Sequence, residues 1–281
     1  MQQFSFFAPD PSLAAVVEAI WDAEVLDAGD GTPITIRVLP SVSPIMCFHY
    51  RTPHASRSES PSRHPHQTLS GVQTSPLALR PGTILGAVMV HFKAEAACHV
   101  IGGQMAEFLD AHVQIDSVLR AREVSHLDER LAGAPNAASR SRLVQNFLRL
   151  HLRDKNDDRL VQFAAGELRR SPNVPVRRLA AQLNISERHL TRRFRDVIGA
   201  TPKQFSRVAR LGRAVAARRR GLAWADISYG CGFTDQAHLV NDFCSLVGTP
   251  PEAYLREASG ARWRKLNAAL AMSDFCNTFF A

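Results

Sequence analysis

The chain has 281 residues, 45% of them hydrophobic and 21% charged, with a formal net charge of +8. That length suits two domains of ordinary size, and the composition excludes collagen, long coiled coil and wholesale disorder. No stretch approaches the roughly 20 consecutive apolar residues of a membrane span. The N-terminal MQQFSFFAPDPSLAAVVEAIW lacks the basic segment of a signal peptide, so a cytoplasmic protein without a membrane partner is expected. The five cysteines are widely spaced with no C-x-x-C, which argues against a disulfide scaffold or a zinc module. Residues 176–257 hold 14 basic and 7 acidic side chains, so +7 of the +8 lies in the last third. Charge confined to one region is the footprint of a polyanion-binding surface. An arginine-rich surface from biased composition would give the same count.

In chain order, PITIRVL (33–39), SPIMCFHY (43–50) and TILGAVMVHF (83–92) are β-branched and aromatic runs bounded by Gly, Pro and Ser. They predict strands. Between the last two, residues 53–75 are mostly Ser, Pro, His and Arg, which predicts a mobile surface loop. Its His54, His64 and His66 lack a nearby Cys or carboxylate pattern, so a solvated loop is favoured over a metal site. Apolar spacing at Leu143, Val144, Phe147, Leu148 and Leu150 predicts a helix over 141–152.

The boundary falls in the polar HLRDKNDDR, where Asp157 or Asp158 can cap the next helix. That helix carries Leu160, Val161, Ala164, Ala165 and Leu168 on one face and stops at Ser171-Pro172. The organisation expected is therefore an α+β domain over 1–155, an all-α domain over 156–257 and a tail over 258–281.

Within the second domain the sequence repeats at an offset of 49: Ser186 meets Asp235, Leu190 meets Leu239, Phe194 meets Phe243, and Gly199 meets Gly248. Before Ser186 the offset is 48, so Leu179 meets Ile227 and Ile185 meets Phe233. Each repeat reads as a helix-turn-helix. In the first, a helix over 176–183 leads to Asn184, a residue that tolerates the left-handed conformation. Ser186 then caps a second helix that buries Leu190, Phe194 and Val197/Ile198 and closes at Gly199. In the second, Gly232 turns, Thr234 or Asp235 caps, Leu239, Phe243, Leu246 and Val247 are buried, and Gly248 closes.

The outward residues differ between the repeats. The first exposes Arg188, Thr191, Arg192 and Arg195, and arginine can grip guanine with two hydrogen bonds in the major groove. The second exposes Gln236, Ala237, Val240 and Asn241, with amides suited to adenine and apolar atoms suited to a thymine methyl. A linker helix over 202–221, with Phe205, Val208, Leu211 and Val215 inward, spans about 28 Å at 1.5 Å per residue. Two recognition helices would then stand about one DNA turn, near 34 Å, apart. Arg218, Arg219 and Arg220 crowd its last turn, where cations favour the helix dipole.

LAAQLNISERHLTRRFRDVIGATPKQF, followed by ADISYGCGFTDQAHLVNDFCSLVGTPPEAY, resembles the DNA-binding half of AraC/XylS-type bacterial transcriptional regulators. The resemblance implies a seven-helix domain whose two helix-turn-helix units enter adjacent major grooves of double-stranded DNA. It assigns base contacts to Arg188, Thr191 and Arg192, and to Gln236, Ala237, His238 and Asn241. Asn184 departs from the glycine common there, and Asn241 is neutral where relatives can be basic. The family leans towards activation, with RNA polymerase as a partner and no cofactor, metal or catalytic residue. Leu39-Pro40 leading to Phe48-His49-Tyr50, and the strand ending Val90-His91-Phe92, are similar to the family's N-terminal domains, although Ser41 stands where an acidic residue is expected. Such domains sense a small-molecule effector or form a homodimer.

Two alternatives involve cysteine. The DNA-binding half is sometimes fused to a DNA-repair methyltransferase, but Cys98-His99 lacks the proline, arginine and clustered cysteines of such a site. A redox sensor through Cys47 or Cys98 needs an exposed thiol of low pKa.

Overall fold

The computed structural model describes residues 2–26, 36–51, 67–79, 84–153 and 157–259. The N-terminal part contains β1 (Gln2–Phe7), β2 (Val17–Leu26), β3 (Ile36–Val38), β4 (Ile45–Arg51), β5 (Gln67–Ser70), β6 (Leu77–Leu79), β7 (Ile84–Phe92) and β8 (His112–Gln114). Six strands form one antiparallel sheet in the order β1-β2-β7-β4-β5-β8, and β3 pairs with β6 alone. Helices α1 (Cys98–Ile101), α2 (Ala121–Ala132) and α3 (Ala137–His151) follow, with a short 3-10 turn at Met105–Phe108.

Strand alternation divides the sheet into two faces. Ile20, Met46, Phe48, Leu69, Val88, Val90 and Phe92 pack against Val124, Leu127 and Leu131 of α2 and Val144, Phe147 and Leu148 of α3. The opposite face carries Ala19, Trp21, Ala23, Ala87 and Met89 beside Leu39, Val42 and Val72. One polar device pins α3 to the sheet. Asp22, 1% exposed, takes two hydrogen bonds from Arg140, Nε to Oδ2 at 2.6 Å and Nη2 to Oδ1 at 3.0 Å. Tyr50 donates its hydroxyl to the same carboxylate, and the Arg140 guanidinium lies 4.0 Å from the Tyr50 ring centre. All the carboxylate's partners are charged or hydrogen-bonding groups, as a buried ion requires.

Some expectations are corrected here. The strand expected over 33–39 is seen as β3, with 33–35 outside the described residues. β1 and β2 were not expected at all. Both faces of β2 are buried, Ala19, Trp21 and Ala23 on one and Ile20 and Asp22 on the other, so no alternation marks it. The loop expected over 53–75 ends sooner. Residues 67–70 are β5, and Gly71, Val72 and Gln73 are buried. His54, His64 and His66 lie outside the described residues. The helix expected over 141–152 begins a turn earlier, where Asn136 accepts from the Ser139 amide at 2.9 Å.

The C-terminal part is helical: α4 (Arg159–Arg170), α5 (Val176–Gln182), α6 (Glu187–Ile198), α7 (Pro202–Arg219), α8 (Trp224–Gly230), α9 (Gln236–Val247) and α10 (Pro251–Ser259). Asp158 caps α4, accepting from Val161 N at 3.2 Å. The two parts share a core, because the sheet face bearing Trp21 and Met89 is continuous with Val161, Leu190, Phe194 and Phe205. Polar ties reinforce that contact. Glu95 pairs with Arg169 of α4, His99 Nε2 lies 3.4 Å from Asp157, and Arg153 N donates to the His99 carbonyl at 2.8 Å.

Candidate nucleic-acid interface

The first helix-turn-helix is α5–α6. Asn184 has φ of 54°, the left-handed turn expected of it, and Ser186 Oγ accepts from His189 N at 3.2 Å. Leu190, Phe194 and Ile198 are fully buried, and Phe194 meets Phe205 of α7 edge-on at 5.3 Å. Gly199 closes α6 with φ of 93°. On the opposite side Arg188, Arg192 and Arg195 are exposed and Thr191 is half-buried. None of these three arginines has an ion-pair partner among the described residues, so all three are free to meet an anion.

The second unit is α8–α9, turning at Gly232 with φ of 74°. Of the two expected caps Asp235 serves, accepting from His238 N at 2.7 Å. Leu239, Phe243, Leu246 and Val247 are buried, while Gln236, Ala237 and Asn241 are exposed and Val240 is half-buried. His238 behaves differently from the other three expected base readers. Thr234 N donates to its Nδ1 at 3.2 Å and its ring stands edge-on to Phe233 at 5.5 Å. The half-buried ring closes the turn, and with Nδ1 accepting, the neutral ring carries its proton on Nε2.

Helix α7 holds the units together. Thr201 and Gln204 form a reciprocal capping box at its start, and its 18 residues span about 27 Å. Asp242 of α9 bridges two of its arginines, Arg207 Nε at 2.7 Å and Arg210 Nη2 at 2.7 Å. Asn173, in the loop before α5, donates to the Cys231 carbonyl at 3.3 Å and packs over Gly232, where a Cβ would overlap its amide. Neither Asp242 nor Asn173 was singled out from sequence. The signal available was an Arg pair three residues apart on α7 and a lone acid on α9.

These contacts narrow the basic surface that charge counting suggested. Arg193 is held by Asp158, Arg213 donates to the Arg170 carbonyl, and Arg218 meets Glu252 at 3.4 Å and the Leu222 carbonyl at 3.3 Å. Arg218 therefore braces the end of α7 and differs from Arg219 and Arg220, which are exposed. On the helix that precedes each recognition helix, α5 exposes Arg177 and Arg178, whereas the matching positions of α8 are Ala225 and Asp226.

Burial pushes the Cys47 thiol up to about 12, the opposite of the low value a sensor needs, although it lies 3.2 Å from His49 Nε2. Burial also raises Cys231. Cys98 is half-buried at the start of α1, and its neighbour His99 is engaged with Asp157. Among the described residues no three His, Cys, Asp or Glu side chains form a metal-sized cluster, and no helix is long and apolar enough to cross a membrane.

Residues 179–257 match a family described as a helix-turn-helix domain. The C-terminal region is an AraC-type helix-turn-helix domain. Carrying this AraC-type domain, the chain is a DNA-binding transcription regulator. Residues 5–114 match a second family, described as a domain of unknown function, DUF6597. No curated protein matches. Among solved structures, ToxT from Vibrio cholerae is similar with a TM-score of 0.46 and 10% identity, over 92% of this chain and 99% of that one. Wild-type ToxT of strain SCE256 with an unsaturated fatty acid bound gives 0.43 and 11%, over 85% and 95%.

Proposed function

We propose that the chain reads a two-part DNA site, with α6 making the specific arginine contacts and α9 a weaker, amide-based reading. Arg188, Thr191, Arg192 and Arg195 are the readers in the first unit, and Gln236, Ala237 and Asn241 in the second. His238 supports the second turn and offers only Nε2 to the groove. The observation that carries this reading is the unpaired Arg188–Arg192–Arg195 stripe, on a face kept clear of every internal ion pair that claims the neighbouring arginines. A recognition helix uses such a stripe for base edges, and arginine with two hydrogen bonds to guanine is its strongest form.

The regulator is further proposed to act as an activator that contacts RNA polymerase, with residues 1–155 as the sensing or dimerising part. Support for sensing comes from His91, 1% exposed, whose two ring nitrogens have no hydrogen-bond partner among the described residues. A neutral imidazole of that kind can supply one donor and one acceptor to a small molecule.

Selection of bound duplexes from a random pool tests the DNA reading. The expected product is two half-sites about one helical turn, near 34 Å, apart, with G·C-defined positions in one half only. Recovery of a pool without any base preference would overturn it. Stabilisation of the full chain by members of a small-molecule panel, lost in His91→Leu, tests the sensing reading.

A further inference from the structure

Each recognition helix carries one charged residue on its flank that is held by a neighbouring helix. On α6 it is Arg193, directly after the proposed reader Arg192, and on α9 it is Asp242, directly after Asn241. The two stand 49 residues apart, so they are one position of the repeat with opposite charge. Their partners are exchanged in the same way. Arg193 meets Asp158 at the start of α4, with Nε and Nη2 both 2.6 Å from Oδ2. Asp242 meets Arg207 and Arg210 in the first half of α7. Helix α4 ends at Arg170 and α7 at Arg219, again 49 apart, and at that offset Asp158 falls on Arg207.

An ion pair at that position fixes one degree of freedom. Leu190, Phe194 and Ile198 hold α6 against the core, but apolar burial is non-directional and does not by itself set the roll of the helix about its axis. A charge-assisted hydrogen bond from the flank to the next helix is directional and does set it. With its side chains a helix is about 10–12 Å across, so a roll of about 10° moves a reader's tip by about 1 Å. Hydrogen bonds hold over only about 2.7–3.2 Å, so that displacement costs a bidentate contact with a base. The anchors are themselves held. The Asp158 side chain is 8% exposed, and its Oδ1 accepts from Val161 N while Oδ2 takes Arg193. Arg210 lies 4.5 Å from the Phe233 ring centre while it binds Asp242.

We propose that Arg193 and Asp242 are positioning residues for DNA reading. Each touches no base and sets, through its ion pair, the roll at which the readers of its own helix meet the groove. This rests on the reading of α6 and α9 proposed above and adds to it two residues that determine specificity from behind the interface. Because the two pairs are separate, Arg193 governs the half-site read by α6 and Asp242 the half-site read by α9.

Competition binding of the full chain separates positioning from contact, scored as the ratio of affinities for its selected duplex and for random-sequence DNA. Asp158→Asn removes the ion pair but keeps a side chain that caps α4 equally well. Arg193→Met keeps the apolar stem and removes the charge. Both variants, and the two combined, are expected to lower the ratio by the same factor, about fivefold or more, the low end for one bidentate contact. Arg193→Met is expected to relax base preference only in the half-site read by α6, and Asp242→Asn only in the half-site read by α9. A ratio lowered by Arg193→Met but not by Asp158→Asn overturns the inference, because Arg193 then touches DNA itself. So does an unchanged ratio with affinity lost on both duplexes, the mark of a helix that is merely destabilised. If the native chain selects no sequence at all, the reading of α6 and α9 falls, and the inference with it.

Discussion

The two helix-turn-helix units share a turn, a cap and a buried face, yet they present opposite chemistry outward. The first offers Arg177 and Arg178 on α5 and three exposed arginines on α6 that pair with no acid among the described residues. The second offers Ala225 and Asp226 on α8 and no basic residue on the exposed face of α9. They are also held differently: the first leans on the N-terminal domain, and the second is riveted to α7 through Asp242. A duplicated scaffold has thus been divided into a basic unit that rests against the N-terminal domain and a neutral unit fixed to the linker helix. Keeping the core, turn and caps while varying the face is what the repeat permits, because those positions and not the outward ones determine how each unit folds.

The largest effect expected is at the rivet. Asp242 and Arg210 are mostly buried and Arg207 is partly so, so Asp242→Ala removes the carboxylate from both cations and leaves Arg210 with only its stacking on Phe233. A loss of about 3 kcal/mol in unfolding free energy is expected, measured by denaturant titration, together with loss of sequence selection by the second half-site. Unchanged stability would mean that the second unit is held by apolar packing alone.

Acid should separate the units by way of the N-terminal domain. Burial holds the His91 imidazole down at about 4, against 6.5 when free. The unfolded chain therefore takes up a proton that the folded chain refuses. Stability from this site is full above pH 6.5, falls between 6.5 and 4, and is gone below, a change of about 3 kcal/mol. As pH falls through that window, hydrogen exchange at the Met105–Phe108 turn, which packs against α6, should rise before exchange in α9. His91→Leu should flatten the profile, and a profile unaffected by that substitution would refute the assignment.

At the DNA the expected differences are smaller. Arg192→Ala should cost about 1–3 kcal/mol on the preferred site and relax one or two base positions in competition binding. A uniform loss over all sequences would assign Arg192 to phosphate instead. Arg177→Ala with Arg178→Ala should weaken all sequences alike and lower the salt slope by about 2, since a first helix crosses the backbone. The smallest effect concerns the second unit. Asp226→Asn should strengthen binding slightly, and Gln236→Ala should change preference at one position by about 1 kcal/mol or less. Equal losses for Arg192→Ala and Gln236→Ala would erase the distinction drawn between the units.

Much of the C-terminal fold was legible before any coordinates. The offset of 49 residues, the left-handed Asn184, the caps Ser186 and Asp235 and the closing Gly199 and Gly248 all depend on local backbone chemistry, which a sequence displays directly. The outward stripes followed from helical period. Partners of the arginines were not legible. Arg207, Arg210, Arg218 and Arg193 look like Arg188 and Arg192 in composition, and only packing brought Asp242, Glu252 and Asp158 to them.

By itself, then, the sequence determined the repeat, the two recognition helices and their contrasting faces, because period and capping act within a few residues. Tertiary structure decided the rest. It buried both faces of β2 and so removed the alternation that would have announced a strand. It left β1 as an edge strand and drew β5 from a polar segment. It brought Asp22 to Arg140, 118 residues away, and set the Met105–Phe108 turn against α6. Contacts of that range carry no periodic signature, since each depends on where two distant segments meet once the core between them has formed.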